Sequence, residues 1–151
     1  MSAPRSRVDI RAPPDGLDAL VEWFERVSYD LVLIVDHPLK DVVDAVGRFS
    51  DAVSEHVRAA DPKLGTTAPS DELARVITAD HAWFATSVEQ LRWFLRVVET
   101  EDHGGHRQAL GQYGRIFAEA FRRHRADEAR YLRARETRLP RGVPESSRST
   151  Y

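Results

Sequence analysis

The stretch from Leu73 to Val98, LARVITADHAWFATSVEQLRWFLRVV, decides the fold class of this chain. Its apolar residues return every three or four positions, which is the spacing of one face of an α-helix and not the alternation of a half-buried strand. The stripe consists of Leu73, Ile77, His81, Phe84, Val88, Leu91, Leu95 and Val98. A long helix with one apolar face must bury that face against other elements, so the stretch indicates a packed helical domain.

Three further segments repeat this spacing. The helices that they predict run over about 17–36, 39–60 and 106–135. The dipeptide His37-Pro38 separates the first two, because a residue that precedes proline disfavours the helical region. The other two connections are polar and contain proline or glycine, which are typical of loops.

Short connections between long helices make chain neighbours antiparallel. The sequence therefore predicts an all-α fold, an up-down-up-down antiparallel four-helix bundle over residues 16–136. The flanking stretches 1–15 and 137–151 are polar and contain proline, serine or arginine, and we expect both to be disordered. A length of 151 residues fits one domain of this kind.

The composition excludes several classes of site. The chain has no cysteine, which excludes disulfides, thiolate metal sites and cysteine nucleophiles and fits a cytoplasmic setting. The longest apolar run, Leu31 to Val35, is far too short to span a bilayer, and Met1 to Pro14 carries no secretory signal, so no membrane partner is expected. A net charge of -2 and the lack of a recognition motif argue against a nucleic-acid partner.

Three histidines occupy places in the apolar stripes of three different helices. They are His56, His81 and His124, and Glu128 follows His124 by one helical turn. His81 precedes the connection between the third and fourth helices by roughly 20 residues, and His124 follows that connection by about as many. The two should therefore lie at one level of the bundle. A buried imidazole or carboxylate is costly unless it is paired or bound to a metal. The four residues therefore predict a metal ion in the bundle core.

Imidazole and carboxylate ligands suit iron, manganese or zinc. On His124-Arg-Ala-Asp-Glu128, on His81 within ITADHAWF and on His56 within SEHVRAADP, the chain resembles the hemerythrin-like (HHE cation-binding) family. The resemblance covers about 17–135 and implies a non-haem iron site with one or two ions. It also implies handling of oxygen, peroxide or nitric oxide, or oxidation of a small-molecule substrate by a non-haem iron oxidoreductase.

Two parts of the family's ligand pattern are missing from this chain. The family typically carries an H-x-x-x-E pair on its second helix, and this chain has Ala60 where the carboxylate of that pair should stand, with Asp61 as the nearest substitute. The first helix has no histidine at the expected depth, and Glu22 and Glu25 are the nearest acidic side chains. The reduced expectation is one metal ion held by His56, His81, His124 and Glu128.

His37, within VDHPLKDVV, looks like the histidine that the family carries on its first helix, but it stands at the helix break. It is a ligand candidate only if that break is wrong. With the break in place, it belongs to a polar group where the first and third connections meet. The other members are Asp36, Glu101, Asp102, His103 and His106. This group is interpreted as a solvated bundle end, a surface metal site or a pH-sensitive patch.

Other interpretations of the bundle remain open. One is a metal-free interaction or regulatory module whose arginines late in the fourth helix contact a partner. A bundle that has lost its metal would be expected to lack ligands, as this chain does at Ala60 and in its first helix. Another is a DinB-like bundle with a three-histidine site, although such proteins usually carry a late H-x-x-x-H pair. Exposed tryptophans such as Trp23 or Trp93 would support a homodimer.

Overall fold

The computed structural model describes residues 8–64 and 72–138, with only the backbone described at 60–64 and 137–138. Four helices make up most of this part of the chain, and it contains no strand. They are α1 (Leu17–Val32), α2 (Leu39–Leu64), α3 (Glu72–Thr100) and α4 (Gly104–Arg138). The predicted all-α class is confirmed. Within the described ranges, no helix is both long enough and apolar enough to cross a bilayer.

The helices pack as an antiparallel bundle. Helix α1 lies against α4 and α2, and α3 completes the bundle by packing against α2 and α4. Asp18 in the first turn of α1 binds Arg125 late in α4, at 2.8 Å. At the other end of α1, Ser28 packs against Gly111 early in α4. The order along α4 is thus the reverse of that along α1, which confirms the predicted topology.

Aromatic side chains fill the middle of the core. The rings of Phe24 and Phe49 stack with their centroids 3.9 Å apart and their planes 6° apart. Phe117 and Phe121 approach Phe49 edge-on, at 5.4 and 6.4 Å. Phe84 of α3 joins them, 5.0 Å from Phe121. These five rings come from all four helices and close the bundle interior on one side of the histidine level.

Helix α1 ends at Val32 and not at Asp36 as predicted. The Val35 amide donates to the Asp30 carbonyl at 2.9 Å, and the Ile34 amide donates to the Leu31 carbonyl at 3.1 Å. This pair of bonds is a Schellman turn, which satisfies the last carbonyls of the helix. Ile34 takes the left-handed position with φ 55 and is 53% exposed. Ile34 and Val35 continue the apolar spacing of α1, and the spacing therefore predicted a helix beyond the residue at which the turn ends it.

The other helix ends also differ from the prediction. Helix α2 continues beyond Ala60 to Leu64. Helix α4 begins at Gly104 because His103 caps it: the His106 amide donates to His103 Nδ1 at 3.2 Å. Gly104 and Gly105, predicted from the sequence to lie in the connection, therefore belong to the first turn of α4.

Part of the N-terminal segment packs on the bundle. Val8 and Ile10 are buried, and the Trp23 indole donates to the Asp9 carbonyl at 2.9 Å. The segment over 1–15, predicted to be disordered, therefore has packed side chains in its described part. Trp23 is also buried, so it does not support a homodimer as an exposed side chain.

Candidate metal centre

Four polar side chains from three helices meet near one end of the bundle. His56 comes from α2, His81 from α3, and His124 and Glu128 from α4. One ligand atom from each lies within 4.8 Å of the other three. His81 and His124 are each 1% exposed, so this polar group lies inside the bundle. The structure thus brings together the three histidines and the carboxylate that the sequence singled out.

The contacts run in a closed circuit. His56 Nε2 lies 2.9 Å from Glu128 Oε2, and His124 Nε2 lies 3.2 Å from Glu128 Oε1. His81 Nε2 is 3.0 Å from His124 Nε2 and 3.5 Å from Glu128 Oε2. All three imidazoles therefore present the same nitrogen to a common centre.

These spacings fit the coordination sphere of one small metal ion. Ligands that lie about 2.1 Å from a metal are separated by roughly 3.4 Å in a tetrahedron and roughly 3.0 Å at a right angle. The distances from 2.9 to 3.5 Å between neighbouring ligand atoms span these two values. All four ligand atoms lie within 4.8 Å of one another, so the four side chains could hold one ion. Among the described residues, the cluster has one carboxylate, whereas a pair of irons would need bridging carboxylates.

Asp80 fixes the orientation of the His124 ring. Its Oδ2 lies 3.2 Å from His124 Nδ1. An ionised carboxylate only accepts hydrogen bonds, so Nδ1 carries the hydrogen and a neutral His124 presents a lone pair at Nε2. That lone pair faces Glu128 Oε1, which is also electron-rich. Two such atoms at this distance need a cation between them, either a proton or a metal ion.

Glu128 carries the negative charge of the cluster. Burial by itself raises the pKa of Glu128, but its contacts with the three imidazoles outweigh burial and hold that pKa well below its ordinary value. The contact with His124 acts as a hydrogen bond only when a proton occupies Nε2, the position that a metal ion would take. Arg125 also donates to Glu128 Oε1 at 3.2 Å, and its Nε donates to Asp18 of α1. The carboxylate is therefore ionised at neutral pH, as a metal ligand must be.

Aromatic rings cover the interior side of the cluster. The Phe84 ring centroid lies 5.1 Å from that of His124, and the Phe121 centroid lies 5.6 Å from that of His56. Apolar walls keep water from the buried face of a site and strengthen the electrostatic interactions within it.

Among the described side chains, the other predicted ligand candidates do not join the cluster. Glu22 is exposed, and Glu25 pairs with Arg122. His37 lies at the opposite end of the bundle, where its Nε2 is 2.9 Å from Asp30. The helix break before α2 is present, so the condition for His37 as a ligand is not met. The side chain of Asp61 lies outside the described residues, like that of Ala60.

Two residues beside the cluster were not predicted. Asp80 precedes His81 in the chain, yet its partner is His124 on the neighbouring helix, and no spacing within one helix signals this. Arg125 stands three residues before Glu128, so helical spacing could have found it.

The polar group at the opposite end has structural partners. His103 Nδ1 caps α4, and His106 Nδ1 donates to the Glu101 carbonyl at 2.8 Å. Arg107 donates to Asp102 at 2.6 and 2.8 Å and to the His37 carbonyl at 2.5 Å. Arg107 thereby joins the connection between α1 and α2 to the connection between α3 and α4.

Comparison of the chain with protein-family models, with curated proteins and with solved structures gave no match. The function is therefore argued from the residues of the cluster.

Proposed function

We propose that this bundle binds one transition-metal ion, with iron as the favoured metal, through His56, His81, His124 and Glu128. The observation that carries the proposal is the convergence of three imidazole nitrogens and one ionised carboxylate at ligand-to-ligand distances. Mixed imidazole and carboxylate ligands, without thiolates, suit iron, manganese and zinc. The proposal includes a remote relation to the hemerythrin-like family, with one ion in place of two.

The residues supply distinct contributions to this site. Glu128 offsets part of the charge of the ion, and Asp80 holds His124 in the tautomer that binds metal. Phe84 and Phe121 keep water from the interior side. A bound iron ion would supply one-electron chemistry toward a small oxidant or diatomic ligand. We propose such a ligand, or oxidation of a small substrate, as the use of the site.

The first test is the metal content of protein purified without an affinity tag, measured by elemental mass spectrometry. The expected result is one iron, manganese or zinc ion per chain in the purified protein. Protein purified without metal should bind one iron per chain on reconstitution with ferrous iron. Two irons per chain would contradict the single-ion site, and no metal after reconstitution would refute metal binding.

A variant pair sharpens this test. His124→Ala should abolish metal binding in isothermal titration calorimetry and remove the rise in melting temperature that metal produces. His106→Gln changes the second group that could hold an ion, Glu101, His103 and His106 at the opposite end of the bundle, and should leave both unchanged. Loss of binding in His106→Gln alone would place the ion in that group. Equal metal binding by both variants would show that the ion binds elsewhere.

A metal-free interaction module is the rival proposal. The observation that favours it is a set of large apolar side chains at the surface: Trp83 is 45% exposed, Trp93 49% and Ile116 61%. It predicts that His124→Ala is neutral or stabilising and that a chelator does not change the melting temperature.

A further inference from the structure

The cluster takes its ligands from only three of the four helices. Helices α2, α3 and α4 contribute His56, His81, His124 and Glu128, whereas α1 contributes none. The spacings of 2.9 and 3.0 Å between ligand atoms fit right angles, as in an ion with five or six ligands, and four protein ligands on three sides would leave the remaining positions of such an ion on the fourth side. That side faces the first turns of α1.

The exposure of the ligands shows the same asymmetry. The side chains of His81 and His124 are 1% and 0% exposed, whereas those of His56 and Glu128 are 15% and 13% exposed. Solvent therefore reaches the cluster past His56 and Glu128.

A groove of about 560 Å³ between the start of α1 and α2 has His56 in its lining. Its apolar lining comes from Leu17 and Leu20 on α1 and from Ala52 and Ala59 on α2. The two alanines leave space where larger side chains would fill the groove. Its volume lies in the range of small-molecule pockets.

A second cavity, of about 420 Å³, lies on the α3–α4 face and does not offer the same route. It is lined by Asp80 and His124, and Asp80 lies at Nδ1 of His124, on the side of the ring away from the cluster. A molecule in this cavity would meet the back of a ligand ring. The α1–α2 groove is therefore the route to the open side.

The charged side chains of the groove disfavour anions. Asp15, Asp51 and Glu55 line it together with one cation, Arg48. Asp51 also pairs with Arg92 of α3 at 3.1 Å. A lining with more carboxylates than cations lowers the local concentration of anions relative to neutral molecules.

We infer that the α1–α2 groove admits a small, uncharged, partly apolar molecule with a lone pair to the open side of the metal centre. This inference rests on the proposed function, because it needs a bound ion. It adds the route and the chemical class of the ligand.

The test uses the full chain loaded with cobalt(II), whose visible spectrum reports ligand binding, and imidazole as the probe. Ala52→Phe and Ala59→Phe each place a ring in the groove and should weaken imidazole binding by at least about tenfold, with little change in cobalt affinity. Ala59 is exposed, so its variant keeps the test valid if Ala52→Phe does not fold. The matched control is Ala120→Phe, which fills the cavity on the α3–α4 face and should leave imidazole affinity unchanged.

The outcomes separate the two proposals. If the wild-type chain binds no cobalt, the proposed function fails. If it binds cobalt but imidazole affinity falls only in Ala120→Phe, or in none of the variants, the groove is not the route and this inference fails alone.

The charge of the groove has its own test with azide as an anionic probe. Glu55→Lys should raise azide affinity by about threefold to tenfold and leave imidazole affinity unchanged. An equal change for both probes would overturn the charge selectivity.

Discussion

Asp80 orients the buried ring of His124 so that its Nε2 could bind a metal ion. Its carboxylate lies on Nδ1 at 3.2 Å, which leaves the Nε2 lone pair directed into the cluster. Without that contact the ring can take the other tautomer, whose Nε2 hydrogen would oppose a metal ion. The quality of the site therefore depends on a residue that does not itself reach the centre.

We expect Asp80→Asn to weaken metal binding by about 10- to 100-fold while the stoichiometry stays at one ion per chain. The measurement is a zinc titration in the calorimeter. Asp127→Asn is the matched control, because Asp127 lines the same cavity but pairs with Arg130. Equal losses in both variants would mean that general charge near the site, and not ring orientation, sets the affinity.

At the scale of elements, the contact between α1 and α4 depends on two glycines. A Cβ at Gly111 would lie 2.5 Å from the Ser28 carbonyl oxygen, and a Cβ at Gly114 would lie 2.4 Å from Ser28 Oγ. The carbonyl is backbone and cannot turn aside, so α4 approaches α1 closely only because position 111 has no side chain.

Gly111→Ala should therefore lower the free energy of unfolding by about 2 kcal/mol or more, through strain at the α1–α4 contact. Gly47→Ala is the control within α2, since a Cβ there meets nothing within 4 Å. It should raise the free energy of unfolding by about 0.5–1 kcal/mol. Urea denaturation measures both, and a harmless Gly111→Ala would show that the two helices can separate without cost.

Arg107, which joins the two connections at the end opposite the cluster, also forms an ion pair with Asp102 whose strength depends on pH. The hydrogen bond from Arg107 lowers the pKa of Asp102, and burial opposes this with a smaller effect. A carboxyl group whose pKa is lower in the folded than in the unfolded protein stabilises the fold at pH values above its unfolded-state pKa. This stabilisation is lost as the pH falls through its folded-state pKa. Asp102→Asn should cost about 1 kcal/mol at neutral pH and less at about pH 3, where the carboxylate begins to lose its charge. Denaturation at the two pH values checks this, and an equal cost at both would exclude the charge as its cause.

The elements differ in how far the sequence determined them. The stripes of α2 and α3 placed His81 in the core and the partly exposed His56 at the edge of the core, because burial follows helical spacing directly. The end of α1 was misplaced because Ile34 is apolar and in register, whereas a Schellman turn depends on backbone geometry that spacing does not encode. Asp80 was missed because its contact with His124 crosses between helices.

At the scale of the whole molecule, a metal at the cluster would join three helices and leave the fourth untied. Helix α1 contacts the others through packing and through ion pairs such as that of Asp18 with Arg125. It supplies no ligand and borders the open groove. Metal binding should therefore stabilise the bundle unevenly, unlike a ligand that contacts every helix.

Hydrogen exchange followed by mass spectrometry tests this. At a zinc concentration 100 times the dissociation constant, amides near His56, His81 and His124 that exchange through opening of the site should slow by up to about 100-fold. Amides in the first turns of α1, from Leu17 onward, should slow far less, because local fraying there does not release the ion. His124→Ala should remove the protection in all helices. Equal slowing in α1 and α3 would mean that α1 does not open separately from the other helices. Helix α1 would then be a fixed wall of the groove.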